Sequence, residues 1–315
     1  MTAPVRLALI GAGRLAEVGY VPALEAAAGA TLVGLADPDP ARRRAVAALA
    51  GGEPTVPTAA GAAELLAALD AAGAGPDGLV LATPAAAHLA DARVAAAAGL
   101  PALVEKPPAP DRAGAAELAA LAPAPRIAFN RRFETGTEEL RSATPPGEPV
   151  RLSLEIGYRR AGWGAHAVAD DALLDLGPHL VDLARWITRA EVTDVVAATV
   201  TPERAEFELA LGAARAHIRC ATDRPYRERV EVRGPDGRRL ARRRRGGLVA
   251  AVGGRLAPSS GPHPLVASLT AQVEAFARIV RGDPEPTLGR AADGLAVMTT
   301  IDAVRACADG VATEG

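Results

Sequence analysis

Lysine is almost missing from this chain of 315 residues, which carries a single lysine against 34 arginines. Asparagine and glutamine are as scarce, with Asn130 and Gln272 the lone examples. That bias suits a GC-rich coding sequence and by itself says nothing about activity. The two cysteines, Cys220 and Cys307, give no disulfide framework and no metal-ligand spacing. Aromatic residues make up 3% of the chain and hydrophobic residues 49%, so its cores are built from Ala, Val and Leu. No apolar run approaches the ~20 residues of a membrane span. A formal net charge of −2 removes any global attraction to nucleic acid or to an anionic membrane. Met1 to Arg6 leads straight into an apolar stretch, without the zones of a secretory leader. These absences predict a soluble, cytoplasmic protein with no metal, nucleic-acid or membrane partner.

What is present is an alternation. Val5 to Ile10 is apolar apart from Arg6, the pattern of a parallel strand covered on both faces. A helical pattern follows to about Ala28, then a strand from Thr31 to Ala36 and a helix from about Ala41. A short strand is expected near Thr55 and Val56, a helix from Ala60 to Ala72, and a strand from Gly78 to Leu81. Further units follow: a helix over 85–98, a strand over 102–104, a helix over 111–121 and a closing strand at 126–129. Strands alternating with helices make a doubly wound parallel sheet.

Past residue 121 the pattern changes. Val150 to Ile156 alternates with period 2, as a strand with one solvated face does. Similar runs near 193–201, 206–211, 214–220 and 227–233 are joined by short turns. Arg242 to Arg245 reads as a solvated turn or sheet edge, and helices over 265–281 and 291–308 close the chain. The expected organisation is an α/β domain over 1–121 and an α+β domain over 122–315.

Three clusters carry chemistry. The first is Gly11-Ala12-Gly13-Arg14-Leu15-Ala16, which follows a strand and opens a helix. Gly11 permits a tight turn and Gly13 a close approach of backbone to a pyrophosphate. Arg14 and Leu15 begin the helix whose N–H groups face the phosphates. Asp37, ending the second strand, suits ribose hydroxyls and repels a 2′-phosphate, favouring NAD over NADP, a preference that Arg42, Arg43 and Arg44 soften. The same residues also suit an ordinary turn with a capping Asp.

The second cluster is Glu105-Lys106-Pro107. An ammonium on a flexible stem loses its proton when desolvated, which a guanidinium does not. The one lysine, at the end of a buried strand, is therefore a candidate for chemistry; the alternative is a side chain that snorkels to solvent. The third cluster is Asp175 to Asp182, where Asp175, His179 and Asp182 share one face of a helix. A carboxylate beside an imidazole suits proton transfer, and the alternative is a helix start with a hydrogen-bonded histidine. Pro178 places the expected helix start at or near itself, with Asp175 just before it and His179 in the first turn.

Together these stretches resemble the Gfo/Idh/MocA family of oxidoreductases, which includes glucose–fructose oxidoreductase and inositol dehydrogenase. The glycine turn, Asp37, Ala82-Thr83-Pro84 with His88, Glu105-Lys106-Pro107, Asn130-Arg131-Arg132-Phe133 and Asp175 to Asp182 follow the family's order and spacing. The resemblance implies a Rossmann domain followed by a domain on an open, mainly antiparallel sheet that forms homodimers or homotetramers. It implies NAD, or NADP, as cofactor, with Lys106, Asp175 and His179 catalytic. Thr83, Pro84, His88 and Glu105 match positions lining the cofactor, and Arg131 matches one that contacts substrate. Where the family often has a glycine triplet, Ala169-Asp170-Asp171 stands here, and Asp171 becomes a candidate contact for a cationic group such as that of an amino sugar. The implied activity is hydride transfer between nicotinamide and a secondary alcohol or ketone of a sugar, sugar nucleotide, amino sugar or cyclitol. Two other classes stay open: a nucleotide-bound regulator without turnover, and an enzyme using bound NAD transiently for glycoside cleavage or internal redox.

Overall fold

The computed structural model describes residues 3–51, 56–160, 170–246 and 263–312. Contacts divide the chain into two units, Met1–Glu134 with Pro262–Leu295, and Thr135–Gly261 with Ala296–Gly315. Thus 122–134 and a late segment fall in the first unit, where the sequence suggests a single division at 121.

The first unit holds a seven-stranded sheet made of β1 (Val5–Ile10), β2 (Ala30–Ala36), β3 (Thr58–Ala59), β4 (Gly78–Leu81), β5 (Ala102–Glu105), β6 (Arg126–Ala128) and β13 (Gly289–Arg290). Their order is β13-β6-β5-β4-β1-β2-β3, parallel except for β13. Every residue of β4 and β5 is buried, which is why both read as unbroken apolar runs. A π-helical turn, Ala16–Tyr20, leads into α1 (Val21–Ala26). Helices α2 (Pro40–Leu49), α3 (Ala62–Ala71), α4 (Ala85–Ala97) and α5 (Arg112–Ala119) complete the alternation. The third strand lies at Thr58–Ala59 rather than near Val56, and Thr55 falls outside the described residues. Among the described residues it pairs with Leu35 and Ala36 alone, so it has no apolar run of its own to show in the sequence. Helix α8 (Pro264–Val280) belongs here because Leu269, Val273 and Phe276 join Leu7, Leu9 and Leu35 in one core.

The second unit is built on a six-stranded sheet of β7 (Arg151–Arg159), β8 (Asp194–Val200), β9 (Arg204–Leu211), β10 (Ala214–Ala221), β11 (Asp223–Arg233) and β12 (Arg239–Gly246). The order is β12-β11-β7-β10-β9-β8, and only β7 with β10 is parallel. Alternate residues of β10, among them Ala216, Ile218 and Cys220, are buried, and α7 (Ala172–Thr188) packs across β7, β9 and β10. The arginine run is an edge strand whose Arg242 and Arg244 are exposed, while Arg243 is buried and bonded to Glu228 and Thr137. Helix α6 (Thr137–Ser142) belongs here, α9 (Ala291–Ala312) has its first residues in the first unit and the rest in this one, and a 3-10 turn, Asn130–Phe133, lies in the first. Among the described residues, no helix is long and apolar enough to cross a membrane.

One helix differs from its sequence expectation. Helix α7 starts at Ala172, capped by Asp171 whose side chain accepts from Leu174 N–H, and it runs on through Pro178. Proline in a helix interior loses a backbone donor. The near-complete burial of the helix outweighs that loss. Asp175 therefore lies in the first turn and His179 one turn later, not before and at the start.

Candidate active site

In the first unit, the strand register brings the sequence clusters to one edge. Ile10 pairs with Ala36 and Leu81, and Leu81 pairs with Val104. Gly11, Asp37, Ala82-Thr83 and Glu105-Lys106 therefore all leave the sheet at its carboxyl edge, where open α/β sheets bind ligands.

Gly11 has φ +102°, and a Cβ there would lie 2.6 Å from Ala82 O, so no other residue fits. A Cβ at Gly13 would meet nothing within 4 Å, which leaves the backbone open to a ligand. Ala16 is fully buried, and Leu15 packs against the core while Arg14 pairs with Glu17 at the surface. Asp37 Oδ2 accepts from Ala12 N–H at 2.8 Å and Oδ1 from Asp39 N–H at 2.9 Å. Each oxygen keeps a further lone pair for a hydroxyl donor. Arg43 is turned onto the carbonyl of Asp37, and Arg42 onto Asp39. An open glycine, a helix start and a carboxylate with spare acceptors fit a dinucleotide.

Beside this turn, Thr83 Oγ1 donates to Asp91 at 2.8 Å and Pro84 occupies the N-cap of α4. His88 is buried, its ring nitrogens 2.8 Å from Thr83 O and 3.0 Å from Pro107 O. Burial first, and then the charge of Lys106, push its pKa down to about 4 against the pull of those carbonyls. A neutral imidazole has one N–H, so His88 donates to one of these carbonyls and packs against the other, bracing the Glu105-Lys106-Pro107 turn to the start of α4. Glu105 is buried, and its Oε2 accepts the backbone N–H of Lys106 at 3.0 Å. Its Oε1 accepts from the hydroxyl of Tyr20 at 2.5 Å, and Gln272 Nε2 donates to that hydroxyl at 3.2 Å. Burial raises the pKa of Glu105, while Tyr20 and Lys106 pull it back. Arg131, also in this unit, forms an ion pair with the buried Glu134.

The second unit holds the other cluster. His179 and Asp182 are buried on α7. Asp175 Oδ2 accepts from Tyr158 OH at 2.5 Å and from Arg160 Nη2 at 3.3 Å. Burial and then the charge of Asp175 push the Tyr158 pKa up to about 12, so the phenol keeps its proton and holds the carboxylate. Asp171, besides capping α7, pairs with Arg305 at 2.8 Å. Ala169 lies outside the described residues.

The family model for the Gfo/Idh/MocA oxidoreductases, described as an NAD-binding Rossmann fold, matches residues 5–126. The model of the Gfo/Idh/MocA C-terminal domain matches residues 146–240. The chain belongs to the Gfo/Idh/MocA family. It is an NAD-binding oxidoreductase of that family, with its dinucleotide domain in the first unit. Solved structures share the fold over nearly the whole chain. Myo-inositol 2-dehydrogenase from Lactobacillus plantarum is 18% identical with a TM-score of 0.77, covering 98% of each chain. Scyllo-inositol dehydrogenase from Lactobacillus casei, solved with NAD(H) and scyllo-inositol, is 16% identical with a TM-score of 0.76, again covering 98% of each. UDP-N-acetylglucosamine 3-dehydrogenase from Acidithiobacillus ferrooxidans is 21% identical with a TM-score of 0.71, covering 98% of this chain and 99% of that one. No curated protein sequence matches.

In this Gfo/Idh/MocA protein, Tyr20, Gln272, Tyr158 and Arg160 hold the clusters in place, and none stands out as a motif. Gln272 alone carried a signal, as the single glutamine of the chain.

Proposed function

We propose that this protein is an NAD-dependent dehydrogenase or reductase acting on a secondary alcohol or ketone of a sugar, sugar nucleotide, amino sugar or cyclitol. The observation that carries the reading is the position of Lys106. The chain's one lysine leaves β5 at the sheet edge that also bears the glycine turn and Asp37. The solved relatives named for inositols and a nucleotide sugar support the substrate class.

Bound NAD supplies a hydride acceptor or, when reduced, a donor. In this reading Lys106 holds the substrate oxygen and stabilises the charge that develops on it. His179 takes up or returns the hydroxyl proton at a ring nitrogen. Asp175, itself fixed by Tyr158 and Arg160, orients that imidazole and the substrate. Arg131 is the proposed further substrate contact. Asp171, which also caps α7 and pairs with Arg305, is the proposed contact for a cationic substrate group.

The test is a panel of inositols, aldoses, amino sugars and UDP-sugars incubated with NAD, following absorbance of the reduced nicotinamide. Turnover of at least one polyol or sugar is expected. A protein that binds NAD and oxidises none of them, and reduces none of the matching ketones, is not this enzyme, and the nucleotide-bound regulator and the enzyme using bound NAD transiently then take its place.

A further inference from the structure

Three residue types occur once each in the chain, and Lys106, Asn130 and Gln272 all lie in the first unit. Lys106 and Gln272 are the two ends of one hydrogen-bonded series. Gln272 donates to Tyr20, Tyr20 donates to Glu105, and Glu105 accepts the backbone N–H of Lys106. One turn earlier on α8, Ser268 Oγ donates to Leu265 O at 3.0 Å and accepts from Asn130 Nδ2 at 3.3 Å.

The direction of the series follows from proton counting. A tyrosine has one hydroxyl proton, and at 2.5 Å from a carboxylate oxygen it is committed to Glu105. The Tyr20 oxygen can then only accept, so Gln272 must present its NH₂ and its Oε1 is left buried without a partner. An unmet buried acceptor costs about 1–3 kcal/mol, so packing alone favours an apolar residue at this fully buried position. A glutamate in its place offers no N–H and competes for the Tyr20 proton. An arginine, the residue this chain otherwise favours, brings a buried charge. The Gln272 amide is a neutral donor that reaches the Tyr20 oxygen.

We propose that Tyr20 and Gln272 are positioning residues for Lys106. Gln272 commits the single Tyr20 proton to Glu105, and the carboxylate held in this way anchors the Lys106 backbone and stays ionised beside its ammonium. The proposal rests on the reading of Lys106 as the group that holds the substrate oxygen. Burial keeps Tyr20 protonated, as the series requires, by raising its pKa well above the ordinary value. Within this unit His88 also interacts with Lys106, and it is neutral near pH 7.

Because the chain has one lysine, labelling with [15N]lysine gives one backbone amide signal, and that amide is the one bonded to Glu105. Its proton shift followed against pH reports the protonation of Glu105. Tyr20→Phe removes a donor to the charged form, so the midpoint should move to higher pH. Gln272→Glu should move it the same way, and Gln272→Leu by less. In Tyr20→Phe, kcat with the best substrate of the panel should fall about tenfold while NAD affinity holds. Loosened packing alone admits water to Glu105 and moves the midpoint the other way, to lower pH, because burial is what raises it. An unchanged midpoint in both Tyr20→Phe and Gln272→Glu overturns the proposal. Lys106→Arg separates the two claims. If it keeps full turnover while the midpoints move, the role given to Lys106 is wrong and the hydrogen-bond series stands. If it loses turnover while the midpoints stay, Lys106 keeps its role and the series is wrong.

Discussion

Asp37 Oδ2 accepts the backbone N–H of Ala12 at 2.8 Å, so the acid that ends β2 also ties down the glycine turn. The same carboxylate sets the cofactor prediction. A 2′-phosphate brought to this edge meets the charge of Asp37, whereas two ribose hydroxyls meet its spare lone pairs. NAD(H) should bind at least several-fold more tightly than NADP(H). Asp37→Ala should weaken both, because Ala12 loses its acceptor, and should narrow the gap between them. Calorimetric titration of each dinucleotide decides this; equal affinities in the unmodified protein would shift weight to Arg42, Arg43 and Arg44.

Lys106→Arg keeps a positive charge and loses both the compact ammonium and its ability to give up a proton. Turnover should drop by about 10²–10⁴-fold, the usual effect of removing one electrostatic or proton-transfer partner. NAD affinity should change little. Steady-state kinetics with a dinucleotide titration reads both, and near-normal turnover removes Lys106 from the chemistry.

His179 and Asp182 lie three residues apart on α7 and should respond differently. His179→Ala should abolish most turnover at a modest cost in stability, from the cavity the buried ring leaves. Asp182 is fully buried. Asp182→Ala strands the groups around it and should cost on the order of 1–3 kcal/mol of stability, with a smaller effect on turnover per folded molecule. Denaturant unfolding beside kinetics separates the pair. Equal effects of both substitutions on turnover and stability would contradict the division.

His88 gives the stability a pH dependence of known sign. Its folded pKa is about 4, below an unfolded value of about 6.5. Between those limits the unfolded chain binds a proton that the folded chain refuses, so stability rises with pH. The contribution is complete above pH of about 6.5 and is lost as pH falls towards about 4, amounting to at most ~3 kcal/mol. Urea unfolding across that window should show the slope, and His88→Gln should flatten it. A slope unchanged by the substitution would assign the dependence to other groups.

The alternation of the first unit was legible because a parallel strand covered on both faces has to be apolar throughout, as β4 and β5 are. The glycine turn was legible for an equally local reason. Gly11 meets the backbone of Ala82 so closely that no side chain is tolerated. Asp37 and Lys106 showed because each ends a readable strand. Elements with little apolar length of their own did not show. Strand β3 has two residues, the π-helical turn at Ala16–Tyr20 looks like any helix start, and β12 carries arginines instead of an apolar face.

Helix α7 passes through Pro178 because its burial outweighs one missing backbone bond, and burial is not a local property. The link from Gln272 to Tyr20 spans 252 residues of chain. Both side chains were in plain view in the sequence, and their meeting was not. Local conformation and strand pattern follow from the residues that are neighbours in the chain, so the sequence alone determined them. Which proton goes to Glu105, which face α8 covers and where α7 begins depend on groups that only folding brings together, and those the tertiary structure decided.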